Sequence, residues 1–156
     1  MGCRNHRPGE VVVRVHASGV NPLDLKIADG AAGHARVTMP AVLGIDMAGT
    51  VVEVGAAVKG FREGDEVYGM TGGVGAAPGS LAEYQADALL LAHKPRTATM
   101  AESAALPLAA LVEAGSLRPR LHPLAFDLAG VARAHEALVS RTAQGKVVVT
   151  VAAPLG

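Results

Sequence analysis

Between residues 21 and 26 the sequence reads Asn-Pro-Leu-Asp-Leu-Lys, which gathers an amide, a carboxylate and an ammonium within six residues. The Asn21 amide and the Lys26 ammonium both donate hydrogen bonds, and both could meet an oxygen that carries negative charge. Each also has a plainer role, Asn21 as a turn-former and Lys26 as a solvated lysine. Pro22 fixes the turn, and Asp24 can hydrogen-bond its own backbone. A second carboxylate, Asp46, stands in the glycine-rich "GIDMAG", where backbone capping suffices. Paired carboxylates can do acid–base work, but Asp24 and Asp46 read as structural turn residues. Tyr68 and Tyr84 fall on strand-like runs and read as core or rim. His16 sits with Arg14 on the polar side of an alternating strand, and His135 falls on an apolar helix face, where a hydrogen-bonded structural role is expected. The remaining histidines show no metal-ligand spacing.

The elements that position these residues are mostly strands. "GEVVVRVHASGV" alternates Val11, Val13, Val15 and Ala17 against Val12, Arg14, His16 and Ser18, the period of a half-buried strand. "PAVLGIDMAGTVVEVG" is a second extended run, in which Gly44 and Gly49 suggest a bulge or a close backbone approach. "GFREGDEVYGM" turns at Gly64–Asp65 into a third, and "GSLAEYQAD" and "ALLLAHKP" supply two short ones. Helices come late. Thr99 and Glu102 form a capping-box pattern before "SAALPLAALVEAG", which Pro107 kinks or restarts and Gly115 ends. Asp127 can cap a helix that places Leu128, Val131, Ala132, His135, Leu138 and Val139 on one face. Gly145 then opens the final strand "KVVVTV". The fold class is therefore mainly β with peripheral helices, an antiparallel barrel or sandwich.

Composition narrows the function. The 156 residues are half apolar but only 3% aromatic, so the core is built from Val, Leu, Ala and Ile. A net charge of zero with no basic cluster gives no electrostatic footprint for nucleic acid or anionic lipid, and neither partner is expected. One cysteine, Cys3, excludes an internal disulfide and fits a cytoplasmic location. No run approaches a membrane span, and the start lacks the apolar core of a signal peptide. His6 stands where the myristoylation pattern needs Ser or Thr.

"SGVNPLDLKIADG", "LGIDMAGTVVEVG" and "FREGDEVYG", in this order and spacing, resemble the catalytic domain of the medium-chain dehydrogenase/reductase superfamily, in its zinc-free quinone oxidoreductase branch. The likeness continues through "GSLAEYQAD", "AHKP" and "ESAALPLA", and resumes in "LVEAGSLRPRL" and "FDLAGVARAHEALVSRTAQGKVVVTV". The resemblance implies a GroES-like fold over nearly the whole chain. Family members carry a Rossmann cofactor domain between "ALPLA" and "LVEAG", phrases that here are almost adjacent. The expected organisation is thus a single GroES-like catalytic domain, 1–109 joined to 110–156 across a missing cofactor domain, and short of an edge strand at its start. "GVGAAP", from Gly73 to Pro78, is the nearest approach to a dinucleotide fingerprint; its final Pro and the strand-like "GSLAEY" after it argue against that role.

The resemblance also bears on chemistry. In the zinc-dependent branch Asn21 would be a Cys, Ile45 a His and Asp46 a Glu, so no zinc is expected. A zinc-free member moves hydride from a nicotinamide to a quinone or an α,β-unsaturated carbonyl, whose oxygen then needs a donor. By resemblance Asn21 lies beside the nicotinamide and substrate, with Lys26 as the second catalytic residue. NADP or NAD is the implied cofactor. Its binding is expected to be weak or absent in this chain, because the phosphate contacts belong to the missing domain. The implied substrate is a small hydrophobic carbonyl or quinone, and a homo-oligomer is expected through apolar surface around Leu106, Leu108 and Leu111. The competing reading is a non-enzymatic GroES-like binding or interaction module.

Overall fold

The computed structural model describes residues 6–70, 72–75, 77–86, 90–105 and 119–152, with backbone only for 84–86. Among the described residues seven strands form one sheet: β1 (Val11–Gly19), β2 (Asp46–Val54), β3 (Glu66–Met70), β4 (Tyr84–Ala86), β5 (Leu91–His93), β6 (Phe126–Asp127) and β7 (Val148–Thr150). The order is β5-β3-β2-β1-β7-β6, with β4 also paired to β1. All pairs are antiparallel except β6–β7. Among the described residues the sheet is open, with β5 and β6 at its two ends. Among the described residues three α-helices lie outside it: α1 (Pro22–Ala28), α2 (Met100–Ala104) and α3 (Val131–Val139). The mainly β architecture with peripheral helices is the one the sequence leads to.

β1 organises the sheet. One edge pairs with β2 along the strand, while the other is divided between β4 at Val12–Arg14 and β7 at Ala17–Gly19. Val11, Val13 and Val15 pack on Met47, Val51 and Val67, all buried. The expected half-buried alternation does not hold, because the side of β1 that carries His16 and Ser18 is buried as well. The ladder to β2 shifts register between Val15 and Ala17, which makes His16 the extra residue of a bulge. Its ring is buried, with Nε2 at 3.0 Å from Thr50 Oγ1 and Nδ1 at 3.2 Å from the Ala152 carbonyl, so it does not share a solvated face with Arg14. Gly49 lies opposite: a Cβ there would stand 2.2 Å from the Arg14 carbonyl oxygen.

The C-terminal segment is fastened by a second apolar cluster, in which Val20, Phe126, Ala134, Val147 and Val149 are buried and Leu128, Val131, Ala137 and Leu138 pack around them. Burying a valine side chain stabilises by roughly 1.5 kcal/mol or more, and this burial rather than helix propensity holds the nine-residue α3. The apolar face expected for that helix is rotated. Ala134 is its buried residue, whereas Ala132 is exposed and Val139 is 68% exposed, because the sheet meets the helix along the line through Val131, Ala134 and Leu138. Asp127 caps the 3-10 turn ahead of α3 by accepting the Gly130 N–H at 2.7 Å. The Thr99–Glu102 capping box is formed at α2. The Pro107 kink, the Gly115 stop, the junction at 109–110 and the face around Leu106, Leu108 and Leu111 lie outside the described residues.

Candidate functional site

Several chain ends converge at one end of the sheet. β1 finishes at Gly19, α1 starts at Pro22, β2 begins at Asp46, α2 stops at Ala104 and Lys146 leads into β7. Gly19 is the point of closest approach: a Cβ there would stand 2.4 Å from the Ala104 carbonyl oxygen, 3.1 Å from Lys146 Cε and 3.3 Å from Asp46 Cβ. Only glycine lets these segments meet.

Asn21 is the N-cap of α1, and its backbone N–H donates to Asp24 Oδ2 at 2.7 Å. Its side chain turns to Asp46 and Lys146. Asn21 Nδ2 donates to Asp46 Oδ2 at 2.9 Å, Lys146 Nζ donates to Asn21 Oδ1, and Lys146 Nζ reaches Asp46 Oδ2 at 3.2 Å. A cation at Oδ1 and an anion at Nδ2 leave the amide one orientation. Among the described residues the second Nδ2 hydrogen and the third Lys146 hydrogen have no acceptor, so the group can still donate toward a bound oxygen. Beneath it, Ser80 Oγ donates to the Asp46 carbonyl at 2.9 Å and lies 2.8 Å from Ser18 Oγ.

Asp46 is therefore not a turn residue: it opens β2, and its carboxylate is the hub of the cluster. Asp24 is fully buried in the first turn of α1, and that burial pushes its carboxyl above the ordinary value. Hydrogen bonding from the Asn21 and Gly44 backbones and the nearby His135 oppose the rise, while Asp46 adds to it. Lys26 is exposed on α1 and has no ion-pair or hydrogen-bond partner for its side chain among the described residues. The structure thus joins Asn21 to Asp46 and leaves Lys26 apart. Tyr68 is buried on β3 against Ala17, Ala48 and Ala104, and Tyr84 lies on β4. Sequence reasoning missed Lys146, which is 125 residues from Asn21 in the chain. Its signal was a lone charge between Gly145 and a run of valines, where a strand entering the core has little reason to carry a cation.

A zinc ion does not fit this donor set. An amide, one carboxylate and an ammonium offer no thiolate or imidazole, Ile45 beside Asp46 is buried and apolar, and the Lys146 charge lies where a dication would be repelled. Among the described residues no three His, Cys, Asp or Glu side chains are grouped to hold a metal.

The family model "Alcohol dehydrogenase GroES-like domain" matches residues 7–116. The chain belongs to that family. This GroES-like domain is 43% identical over 105 residues to an NADPH-dependent alkenal/one oxidoreductase, chloroplastic, of Arabidopsis thaliana, an alignment covering 64% of the chain and 27% of the relative. It is 39% identical over 105 residues to the chloroplastic quinone-oxidoreductase QR1 of Triphysaria versicolor, covering 66% and 31%. These matches place the domain in the medium-chain dehydrogenase/reductase superfamily, in its quinone oxidoreductase branch, and the chain spans under a third of the length of either relative. The crystal structure of an alcohol dehydrogenase superfamily protein from Novosphingobium aromaticivorans superposes with a TM-score of 0.92 at 24% identity, over 97% of this chain and 94% of that one, which is a likeness of fold. No helix among the described residues is long and apolar enough to cross a membrane.

Proposed function

We propose that the chain is the substrate-side domain of an NAD(P)H-dependent quinone or enone reductase, with 1–109 joined to 110–156 and no cofactor domain between them. The observation that carries this reading is the Asn21 amide, pinned by Lys146 and Asp46 so that it presents an N–H at the end of the sheet. In this reading the nicotinamide supplies hydride to the substrate's conjugated carbon, and Asn21 donates to the carbonyl oxygen as charge develops there. Lys26, exposed and without an ion-pair partner among the described residues, is the second donor and reaches the substrate or cofactor from α1. The substrate class is a small hydrophobic quinone or α,β-unsaturated carbonyl, and the setting a reducing compartment, the cytoplasm.

The domain alone meets only the nicotinamide end of the cofactor. If a whole reductase binds NADPH at micromolar level, worth ~8 kcal/mol, losing the pyrophosphate and adenosine contacts leaves ~4 kcal/mol or less, a dissociation constant of millimolar or weaker. The chain by itself is then inactive, and the homo-oligomer belongs to the same proposal. The test has two parts. NADPH fluorescence titration of the isolated chain should show no micromolar binding, and 1,4-benzoquinone reduction should stay at the uncatalysed rate. Reinsertion of a Rossmann domain between Ala109 and Leu111 should restore turnover, and Asn21→Ala should then lower it by roughly a hundredfold. Micromolar binding by the isolated chain, or full activity in the Asn21→Ala chimera, would overturn the reading.

A further inference from the structure

The glycine-rich 73–78 stretch, which is no dinucleotide fingerprint, has another place in the fold. Its residues Gly75, Ala77 and Pro78 form one side of a cleft of about 390 Å³, and the segment 36–42 forms the other. That volume suits a small organic molecule. Backbone bonds tie the two sides together: the Gly75 N–H donates to the Ala35 carbonyl at 2.7 Å, and the Gly79 N–H to the Val42 carbonyl at 2.8 Å. The walls are mainly apolar, with Val37, Pro40, Val42 and Pro78, while Arg36 and Thr38 bring polar side chains. Among the described residues that line the cleft, Arg36 carries the one charge, and Asn21, Asp46 and Lys146 are not part of the lining.

An exposed arginine without an ion-pair partner is ordinary, but the backbone of this one is not. Arg36 closes the 3-10 turn Gly33–Ala35 with φ 51 and ψ 42, in the left-handed region. A Cβ is crowded there, so glycine or asparagine fits at lower cost. Among the described residues two other than glycine have positive φ, Arg36 and Arg141, and of these Arg36 lines the cleft. Its guanidinium has no hydrogen-bond or ion-pair partner among the described residues, so no internal contact accounts for an arginine in that conformation. A ligand does account for it. We propose that the cleft binds a small amphipathic carboxylate, its apolar body against Val37, Val42 and Pro78 and its charged end on Arg36. A guanidinium takes a carboxylate through two parallel N–H bonds, and Thr38 offers a hydroxyl to the same end. One cation balances the single charge of a carboxylate, whereas a phosphate monoester carries nearly two and meets no second cation among the described lining residues. Since the cleft is near the lower end of ligand-site volumes, the body is a single ring or a short acyl chain.

The test uses the chain as it is, with neither nicotinamide nor quinone, so its outcome is separate from that of the reductase reading. Amide chemical shifts are followed while phenylbutyrate, or its neutral amide phenylbutyramide, is titrated into the protein. Phenylbutyrate should move Arg36, Val37 and Gly75 and bind about tenfold more tightly than the amide. Arg36→Gly keeps the left-handed turn and removes the guanidinium, so it should reduce phenylbutyrate binding to the level of the amide. The same substitution relieves the backbone and should lower the unfolding equilibrium constant in urea about threefold, a gain in stability with a loss of binding that a structural arginine would not show. Arg36→Asn, which also tolerates that backbone, should lose binding alike. Equal binding of acid and amide, shifts confined to other parts of the chain, undiminished binding by both variants, or variants less stable than the parent would overturn the proposal.

Discussion

Asp24 and Asp65 use the same short-range device in opposite surroundings. Each carboxylate accepts the backbone N–H three residues before it, Asn21 at 2.7 Å and Arg62 at 2.9 Å. Asp65 sits at the surface turn into β3, beside Arg62 and His93, and the Arg62 backbone hydrogen bond holds its carboxyl below the ordinary value. Asp24 lies at the head of α1 with no exposed surface, and burial there outweighs the same bond and raises its carboxyl. An identical local contact thus favours the charge where water remains and cannot rescue it where water is gone. The difference marks the two regions: the turn at 62–65 is a solvated structural corner, and the head of α1 is a desolvated platform under a cluster of donors.

Four measurements sharpen or break that contrast. Lys146→Met leaves the Asp46 carboxylate facing Asn21 and Asp24 without its cation; since both partners are partly exposed, the expected loss is about 2 kcal/mol, between the costs at buried and open sites. Equal stability by urea denaturation would mean that water already screens the cluster. Asp24→Ala strips the part-buried Asn21 N–H of its acceptor and should cost about 1–2 kcal/mol, with relief of the buried charge offsetting part of the lost bond. Asp65→Ala removes the equivalent bond at the surface, and a loss of about 0.5 kcal/mol or less is expected from the same assay. Should Asp65→Ala prove the costlier of the two, the assignment of the regions would be reversed.

The smallest effect lies in the pH dependence, and its sign is diagnostic. Between 3.8 and the raised value of Asp24 the folded state holds more protons than the unfolded one, so the stability tied to Asp24 is present below 3.8 and lost as pH rises through the folded value. For Asp65 the contribution is present above 3.8 and lost as pH falls through its lowered value. Unfolding free energies of Asp24→Asn and Asp65→Asn, each compared with the parent across the acid range, should therefore slope in opposite directions. Parallel slopes would remove the physical basis of the comparison.

Much of this was legible in the residues. The strand order along the chain, the capping box at Thr99 and the cap at Asp127 follow from local spacing, and Gly44 and Gly49 are where close backbone approach was expected: Gly44 has φ +97 and a Cβ there would stand 2.7 Å from Ser80 Oγ. Asn21 and Asp46 could be singled out, but not their union, because nothing in a linear pattern records that Lys146 returns to lie between them. The same holds for His16. Alternation assigns it to a solvated side, and only the bulge and the return of Val151 and Ala152 bury it. Local rules speak for contacts a few residues apart, whereas the cluster is made by pairings between opposite ends of the chain.

The divided edge of β1 has a consequence in time rather than in space. Ala17–Gly19 pairs with Val148–Thr150, so its last neighbour is synthesised some 130 residues after it. Contacts of such sequence separation form slowly, since a long loop must close before they reward the chain. During synthesis the outer rim of β1 at these residues therefore stays open after β2 and β3 are available to fold beside it. The nascent protein carries an unpaired strand end immediately before Asn21, a place where another extended chain could bind in error until β7 arrives.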